Sequence, residues 1–318
     1  MMQTIRTMLK GAAMGIAEVI PGVSGGTIAF ITGIYERLLN AIRAINPSLI
    51  KVYKQDGLKA AFHNIDGLFL LKLIGGMVIG FVVGLKLIVS LLDTHPIHIW
   101  SFFFGLILAS IPIVGKQVKK WGGVEIALMV VGAALVYWVT VAAPSQGSES
   151  LILVFISGVV GISALMLPGL SGSFVLLLMG MYTIIMPAIE EFLHNPFGPE
   201  TTVLVVFGLG LLVGLFSFAR VLTYTFKKHP NKTLALLTGF LIGSLNKVWP
   251  WQKVLETRVS SSGKTAVKFS ESVSPNTLSE LDTNFLYGTD PHLWQAILVM
   301  IVAALAVLAL DRYSPKAI

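Results

Sequence analysis

An apolar run over residues 11–42 is interrupted in its middle by Pro21-Gly22-Val23-Ser24-Gly25-Gly26. A second apolar run, over residues 151–189, is interrupted in the same way by Pro168-Gly169-Leu170-Ser171-Gly172-Ser173. Proline removes a backbone hydrogen bond from a helix, and glycine favours conformations outside it. We therefore expect each run to be a broken helix that turns back on itself, and we name the two interruptions the first and second Ser-Gly loops.

Composition indicates that both runs lie in a membrane. Of the 318 residues, 55% are hydrophobic and 12% are charged, whereas a soluble domain has about 25% charged residues. The mean hydropathy is +0.81. The absence of cysteine excludes disulfides, thiolate nucleophiles and cysteine-bound metals. We expect an all-α polytopic membrane protein whose net charge of +7 lies in loops between spans, with no nucleic-acid partner.

Six uninterrupted apolar segments are expected to be membrane spans. They are residues 73–92, 99–114, 124–143, 203–226, 233–245 and 293–310. No small-residue cleavage site follows the basic N-terminus, so we expect residues 11–42 to be retained rather than removed as a secretory signal.

The basic residues between spans predict the orientation. If each broken helix is a re-entrant hairpin, one set of loops contains Arg43, Lys51, Lys54, Lys59, Lys116, Lys119, Lys120, Lys227, Lys228, Lys232, Arg312 and Lys316. The opposite loops 93–98, 144–150 and 190–200 contain no Lys or Arg. Loops rich in Lys and Arg face the cytoplasm, so we expect both termini there. The outer loop 250–291 carries basic residues as well and is expected to be a solvated lid.

The two interrupted runs belong to an internal repeat. The offset that aligns the loops also aligns Gly33 with Gly180 and Tyr35 with Tyr182. A second block aligns Gly76, Gly80, Lys86, His95-Pro96, Gly105 and Ser110 with Gly210, Gly214, Arg220, His229-Pro230, Gly239 and Ser244. Each half, 1–143 and 144–318, then has one hairpin plus three spans, an odd number, so the second copy is inverted in the membrane. Such repeats with discontinuous helices are typical of transporters.

The loops are predicted to bind an anion. A break at membrane depth is tolerated only where protein or a wet cavity satisfies the backbone. The half-helix that follows offers unpaired amides and a dipole that favours negative charge. The candidate substrate-binding residues are Pro21, Gly22, Ser24, Gly25, Gly26, Thr27, Gly169, Ser171, Gly172 and Ser173. The alternative is that both loops are tight turns that pack small residues between helices.

Three ionisable residues inside apolar stretches are further candidates, because such residues are costly in a membrane. Glu18, whose counterpart is Leu165, is a candidate proton carrier or cation partner; the alternative is a structural cap. Lys86 and Arg220 align between the copies and are expected to receive the anion from either leaflet; the alternative is that both extend to lipid headgroups. We expect no metal site, because neither His95 nor His229 has a nearby carboxylate and the chain has no cysteine.

A family resemblance names the anion. The stretches Ala17-Glu18-Val19-Ile20-Pro21-Gly22-Val23-Ser24-Gly25-Gly26-Thr27 and Leu167-Pro168-Gly169-Leu170-Ser171-Gly172-Ser173-Phe174 resemble the polyprenyl-phosphate translocases of bacterial inner membranes, the PopT type. The resemblance implies a flippase that returns undecaprenyl phosphate from the outer to the cytoplasmic leaflet for cell-envelope synthesis. It implies a phosphate cradle at Ser24, Gly25, Gly26, Ser171, Gly172 and Ser173, with no catalytic residue and no cofactor.

Two other functions remain open at this stage. Membrane-embedded undecaprenyl-pyrophosphate phosphatases resemble an inverted repeat with a Pro-Gly-x-Ser loop, but they use an Arg in that loop and a pair of Glu residues one turn apart. Here Gly25 and Gly172 follow the serines, and Glu18 has no acidic partner at that spacing. A small-anion channel or exchanger that uses the same half-helix ends is the second alternative. The oligomeric state is not predicted.

Overall fold

The computed structural model describes residues 2–19, 23–142, 147–148, 150–198, 200–259, 265–281, 284 and 287–313, and it is mostly helical. The first part of the chain forms α1 (Met2–Glu18), α2 (Gly25–Ile31), α3 (Tyr35–Ala44), α4 (Ser48–Asn64), α5 (Gly67–Thr94), α6 (Pro96–Gly115) and α7 (Gly123–Val141). The rest forms α8 (Leu151–Met166), α9 (Gly172–Leu178), α10 (Tyr182–His194), α11 (Glu200–Lys228), α12 (Pro230–Ser244), β1 (Gln252–Val259), β2 (Thr265–Ser272), α13 (Pro275–Ser279) and α14 (Leu293–Tyr313).

Each interrupted run consists of three helices, because a second break follows the Ser-Gly loop. The half-helices α2 and α9 have seven residues each. Gly33, with φ of +71°, follows α2, and Gly180, with φ of +69°, follows α9. Glycine adopts this left-handed conformation without the strain of a Cβ. The axes of α9 and α10 differ by 114°, so the chain turns sharply at the second break.

Four helices of the described residues are long and apolar enough to cross a membrane. They comprise Gly67–Leu92, Pro96–Gly115, Gly123–Val141 and Glu200–Lys228, and the bent pair α9 and α10 counts as a fifth if it is one span. Helices also form at the other two expected spans, but α12 has 15 residues and the apolar part of α14 is limited to Leu293–Ala309. The architecture therefore fits a multi-pass helical membrane protein.

Glycines set the helix packing. A Cβ on Gly76 would collide with the carbonyl oxygen of Met8, and one on Gly210 with that of Phe155; α1 therefore packs closely on α5, and α8 on α11. Helix α6 packs on α14 and α7 packs on α12, so early and late parts of the chain interleave. Small residues allow this close approach between membrane helices. Close helix packing therefore explains why Gly76 and Gly210 occur at equivalent positions of the two copies.

Two segments expected to be loops form regular structure. Helix α4 lies in the basic connection after α3 and bends at Gly57, where φ is +81°. Strands β1 and β2 pair as an antiparallel hairpin within residues 250–291. The indole N–H of Trp249 donates to the carbonyl oxygen of Val273 at 2.8 Å, and that of Trp251 donates to the carbonyl oxygen of Pro291 at 2.8 Å. The first bond ties the end of the hairpin to the turn after α12, and the second ties the start of the hairpin to the residues before α14.

Two basic turns lie at the same end of the molecule. The backbone N–H of Lys119, in the turn after α6, donates to the side-chain oxygen of Asn231 at 3.1 Å. Asn231 is in the first turn of α12, next to Lys227 and Lys228 at the end of α11. Positive charge from two connections is therefore concentrated at one end of the helices.

Candidate functional site

At the first Ser-Gly loop, a carboxylate of the protein itself occupies the start of the half-helix. Ser24 caps α2 by accepting the N–H of Gly26 at 3.0 Å through its hydroxyl oxygen. The carboxylate of Glu18, at the end of α1, accepts the N–H of Gly25 at 2.6 Å. An amide at a helix N-terminus favours negative charge, so the Glu18 side chain holds the position that an incoming anion would take.

The expectation of unpaired amides is therefore wrong for the first loop. The N–H of Thr27 also has a partner, the carbonyl oxygen of Ser24 at 3.0 Å. The physical reason is that the end of α1 and the start of α2 lie close enough for the Glu18 carboxylate to reach the amide of Gly25. Pro21 and Gly22, two of the predicted binding residues, lie outside the described residues.

The second Ser-Gly loop has no such carboxylate, since Leu165 stands where the first copy has Glu18. Gly169 has a φ of +87°, and Ser171 caps α9 by accepting the N–H of Phe174 at 3.4 Å. The hydroxyls of Ser171 and Ser173 lie 3.0 Å apart. Among the described residues, the amides of Gly172 and Ser173 have no hydrogen-bond partner. The second loop therefore has the free donors that the first loop lacks.

A cation that sequence reasoning missed stands beside the second loop. The ammonium of Lys247, in the turn after α12, lies 4.3 Å from the ring centroid of Phe174 in α9. Lys247 forms no ion pair with any described residue. The offset that aligns Gly239 with Gly105 pairs Lys247 with Ile113. This signal was available in the sequence: Glu18 occurs in the first copy alone and Lys247 in the second alone.

The two loops meet at a contact that we call the junction. The hydroxyl of Ser24 donates to the carbonyl oxygen of Leu165 at 2.8 Å, and the N–H of Gly169 donates to the hydroxyl oxygen of Thr27 at 2.9 Å. The hydroxyl of Tyr35, at the start of α3, donates to the carbonyl oxygen of Met166 at 2.7 Å. The structure thus brings together residues 141, 142 and 131 positions apart in the chain.

The junction is closed in this conformation. Ser24 and Thr27 are each 1% exposed, and Ser171 is 2% exposed. A Cβ on Gly26 would lie 2.6 Å from the carbonyl oxygen of Leu165, so the glycine is required for the loops to approach this closely. A ligand can reach these groups only after the junction opens.

Neither Lys86 nor Arg220 forms a hydrogen bond or an ion pair with a described residue of the junction. Lys86 is exposed on α5, and Arg220 is exposed on α11. Arg220 lines two cavities, and none of their other lining residues belongs to a Ser-Gly loop. Within the described part of the chain, no group of three or more His, Asp and Glu residues could hold a metal ion.

The comparison with protein families identifies the chain. A profile described as "Undecaprenyl phosphate translocase-like" matches residues 14–266, which include Glu18 and both Ser-Gly loops. The chain belongs to this family. The resemblance inferred from the two loop sequences is therefore confirmed.

Two relatives in the translocase-like family are similar over most of their length. A protein named "Polyprenyl-phosphate transporter" from Vibrio cholerae serotype O1 is 43% identical over 316 residues, which cover 99% of this chain and 98% of the relative. A protein of the same name from Staphylococcus aureus is 33% identical over 260 residues, 76% of this chain and 85% of the relative. No solved structure matches the chain. Both names describe transporters, which supports a transporter rather than an enzyme.

Proposed function

We propose that this translocase-like protein is a flippase that returns undecaprenyl phosphate from the outer to the cytoplasmic leaflet of the bacterial inner membrane. The names of its relatives support polyprenyl phosphate as the substrate. The observation that carries the proposal is the unequal charge of the junction. Glu18 occupies the amide of Gly25 at the first loop, while the ammonium of Lys247 lies over the ring of Phe174, the residue that follows the free amides of Gly172 and Ser173.

The second loop is the first phosphate site in this mechanism. A phosphate monoester carries a charge of about −1.5 to −2 near neutral pH and has strong acceptor oxygens. The amides of Gly172 and Ser173, the hydroxyl of Ser173 and the ammonium of Lys247 supply donors for these oxygens. Hydrogen bonds to a charged phosphate are about twice as strong as neutral ones. The prenyl chain stays in the lipid while only the headgroup enters the protein.

Glu18 controls the passage of the phosphate to the first loop. Its ionised carboxylate repels a dianion and holds the Gly25 amide. Protonation removes the negative charge, so the phosphate can displace the side chain and take the amide. This exchange would couple lipid movement to a proton, and it gives Glu18 a role that Leu165 in the other copy cannot have.

The two Ser-Gly loops form one two-sided site if the second half is inverted, with its hairpin entering from the opposite face. Opening to either side then requires the bonds from Ser24 to Leu165, from Gly169 to Thr27 and from Tyr35 to Met166 to break. The concentration of basic residues at one end of the helices supports a cytoplasmic position for that end and for both termini.

A leaflet assay tests the proposed function. Purified protein is placed in liposomes with labelled undecaprenyl phosphate in both leaflets, and a phosphatase added outside hydrolyses only the lipid it can reach. We expect the protein to expose the inner pool. The double variant Ser171→Ala with Ser173→Ala is expected to slow this exposure by about tenfold or more, since it removes donors to a charged group. Ser163→Ala is the matched control, because the Ser163 hydroxyl bonds within α8 to Val159.

The same vesicles separate the alternatives. A phosphatase would release phosphate from undecaprenyl pyrophosphate without added enzyme. An anion channel or exchanger would carry inorganic phosphate or chloride without moving the lipid. Either result, with no exposure of the inner lipid pool, would contradict the flippase.

A further inference from the structure

A groove lies between α4 and the middle of α11, and no described residue of either Ser-Gly loop lines it. Its volume is about 790 Å³, within the roughly 300–1,000 Å³ range of ligand pockets. Its walls include Ile50, Tyr53, Leu58, Leu212, Val213 and Phe216. Several of these side chains are open to the surroundings, with Leu58 being 73% exposed and Leu212 51% exposed. The groove is therefore an apolar channel along the side of the protein.

One end of the groove is cationic. A second cavity of about 560 Å³ is lined by Arg43, Arg220, Tyr224, Lys227 and Lys228, and Arg220 lines both cavities. No acidic residue of the described part of the chain lines either cavity, and none of these four cations forms an ion pair with a described residue. Lys228 donates to the hydroxyl of Tyr224 at 2.9 Å, which orients one ammonium. Four positive charges thus have no counter-ion at this point among the residues that the structure describes.

Helix α11 joins the apolar and cationic parts along one face. Positions three and four residues apart lie on the same side of a helix. From Val213 this spacing leads through Ser217, Arg220 and Tyr224 to Lys228. An apolar surface of the protein therefore continues directly into a group of cations. This arrangement is complementary to a lipid that has a hydrocarbon chain and an anionic headgroup.

We propose that this groove is a second lipid site, in which the prenyl chain of a polyprenyl phosphate lies along α11 and its phosphate sits among the four cations. The inference rests on the proposed function, and it assigns to that function a docking site separate from the junction. By the proposed orientation the cationic end faces the cytoplasmic leaflet. The site receives the lipid there as it leaves the junction.

The charge of the site favours a phosphate monoester over a membrane phospholipid. A monoester carries a charge of about −1.5 to −2 near neutral pH, whereas a phosphodiester lipid carries a single negative charge. Four unpaired cations match the greater charge. A single groove also fits one long hydrocarbon chain better than the two acyl chains of a phospholipid.

The groove is physically connected to the junction. The ring of Phe226, on α11, packs edge-on against Tyr35 with centroids 5.9 Å apart. The hydroxyl of Tyr35 in turn bonds to Met166 beside the second Ser-Gly loop. A movement of α11 that accompanies lipid docking therefore bears on a bond that closes the junction.

Photo-labelling tests the second site. The protein in nanodiscs is labelled with farnesyl phosphate that carries a diazirine on its prenyl chain, and the modified peptides are identified by mass spectrometry. We expect labels on α4 and α11, and competition by unlabelled farnesyl phosphate at a concentration about tenfold or more below that needed for phosphatidylglycerol. Equal competition by the two lipids would overturn the proposal in favour of a general anionic-lipid surface.

Charge variants provide the second arm. The double variant Arg220→Gln with Lys227→Gln is expected to reduce labelling of α4 and α11 by about tenfold or more, since bonds to charged groups are strong. Lys232→Gln is the matched control, because Lys232 is an exposed cation on the neighbouring α12 that lines neither cavity. Unchanged labelling in the double variant would contradict the proposal.

A third arm separates this inference from the proposed function. In Ser171→Ala with Ser173→Ala, labelling of the groove is expected to persist while leaflet transfer slows by about tenfold or more. Loss of groove labelling in that variant would overturn the groove as a separate site. Groove labelling of the unmodified protein without any leaflet transfer by that same protein would support the site and count against the flippase.

Discussion

The carboxylate of Glu18 accepts a hydrogen bond from the N–H of Gly25 at 2.6 Å, at the start of the half-helix α2. The equivalent place before α9 is held by Leu165, and the amides of Gly172 and Ser173 have no partner among the described residues. Repeated loops thus differ in charge, with an anion built into the first and a cation, Lys247, beside the second. Because of this difference in charge, the two sides of the junction are not equivalent for an anion, as they would be if the loops were identical.

Replacing Glu18 with glutamine tests the proposed coupling to protons. The amide oxygen of the new side chain can still accept the N–H of Gly25, but the side chain cannot ionise, so the variant imitates the protonated state. We expect leaflet transfer to depend on an imposed pH gradient in the unmodified protein and to be indifferent to it in Glu18→Gln. Transfer that responds to the gradient equally in both proteins would remove the proton role of Glu18.

Replacing Tyr35 with phenylalanine tests the contact between the loops. The variant removes the hydroxyl that donates to Met166 and leaves a buried carbonyl without a partner. We expect the free energy of unfolding to fall by about 1–3 kcal/mol, measured by denaturant titration in mild detergent. Tyr137→Phe is the matched control, because Tyr137 is 53% exposed. Equal stability of the two variants would mean that the bond contributes nothing to closure.

Adjacent glycines on α5 provide a test of the helix packing. A Cβ on Gly76 would collide with the carbonyl oxygen of Met8, whereas one on Gly75 would meet nothing within 4 Å. Gly76→Ala is expected to destabilise the protein by about 1–3 kcal/mol through overpacking. Gly75→Ala is expected to be neutral or to stabilise it by up to about 1 kcal/mol, since alanine is the better helix former. The reverse order in thermal unfolding would contradict the α1 and α5 contact.

The sequence predicted the helical membrane character, the two breaks and the residues at which they fall. It did so because proline and glycine act locally: Ser24 and Ser171 cap the helices that follow, and Gly33 and Gly180 share a left-handed φ. The aligned glycines were also informative, although Gly76 and Gly210 proved to be packing residues. Local chemistry of this kind needs no knowledge of the tertiary structure.

Features that depend on contacts between distant segments could not be predicted in the same way. The occupation of the Gly25 amide by Glu18 depends on how closely the end of α1 approaches the start of α2. The sequence shows that Lys247 has no basic counterpart in the first copy, but only the structure places its ammonium over the ring of Phe174 in α9. Helix α4 and the strands β1 and β2 have polar sequences that resemble loops, and their structure depends on the surfaces they contact.

Replacing Lys247 tests whether its ammonium binds the lipid phosphate or whether the turn after α12 has only a structural role. Lys247→Gln is expected to reduce leaflet transfer by about tenfold or more through the loss of one charged contact, while Lys247→Arg is expected to retain part of the activity. Lys120→Gln, at an exposed position in the turn after α6, is the control for a loss of positive charge. Equal activity of Lys247→Gln and Lys120→Gln would exclude Lys247 from the site.

We propose that the lipid phosphate binds at the second Ser-Gly loop, and a cryo-electron microscopy map of the protein in nanodiscs with undecaprenyl phosphate tests this. We expect phosphate density within about 3 Å of the amide nitrogens of Gly172 and Ser173, and next to the ammonium of Lys247. Phosphate density that occurs only among Arg43, Arg220 and Lys227, with the junction empty in every class of particles, would contradict it.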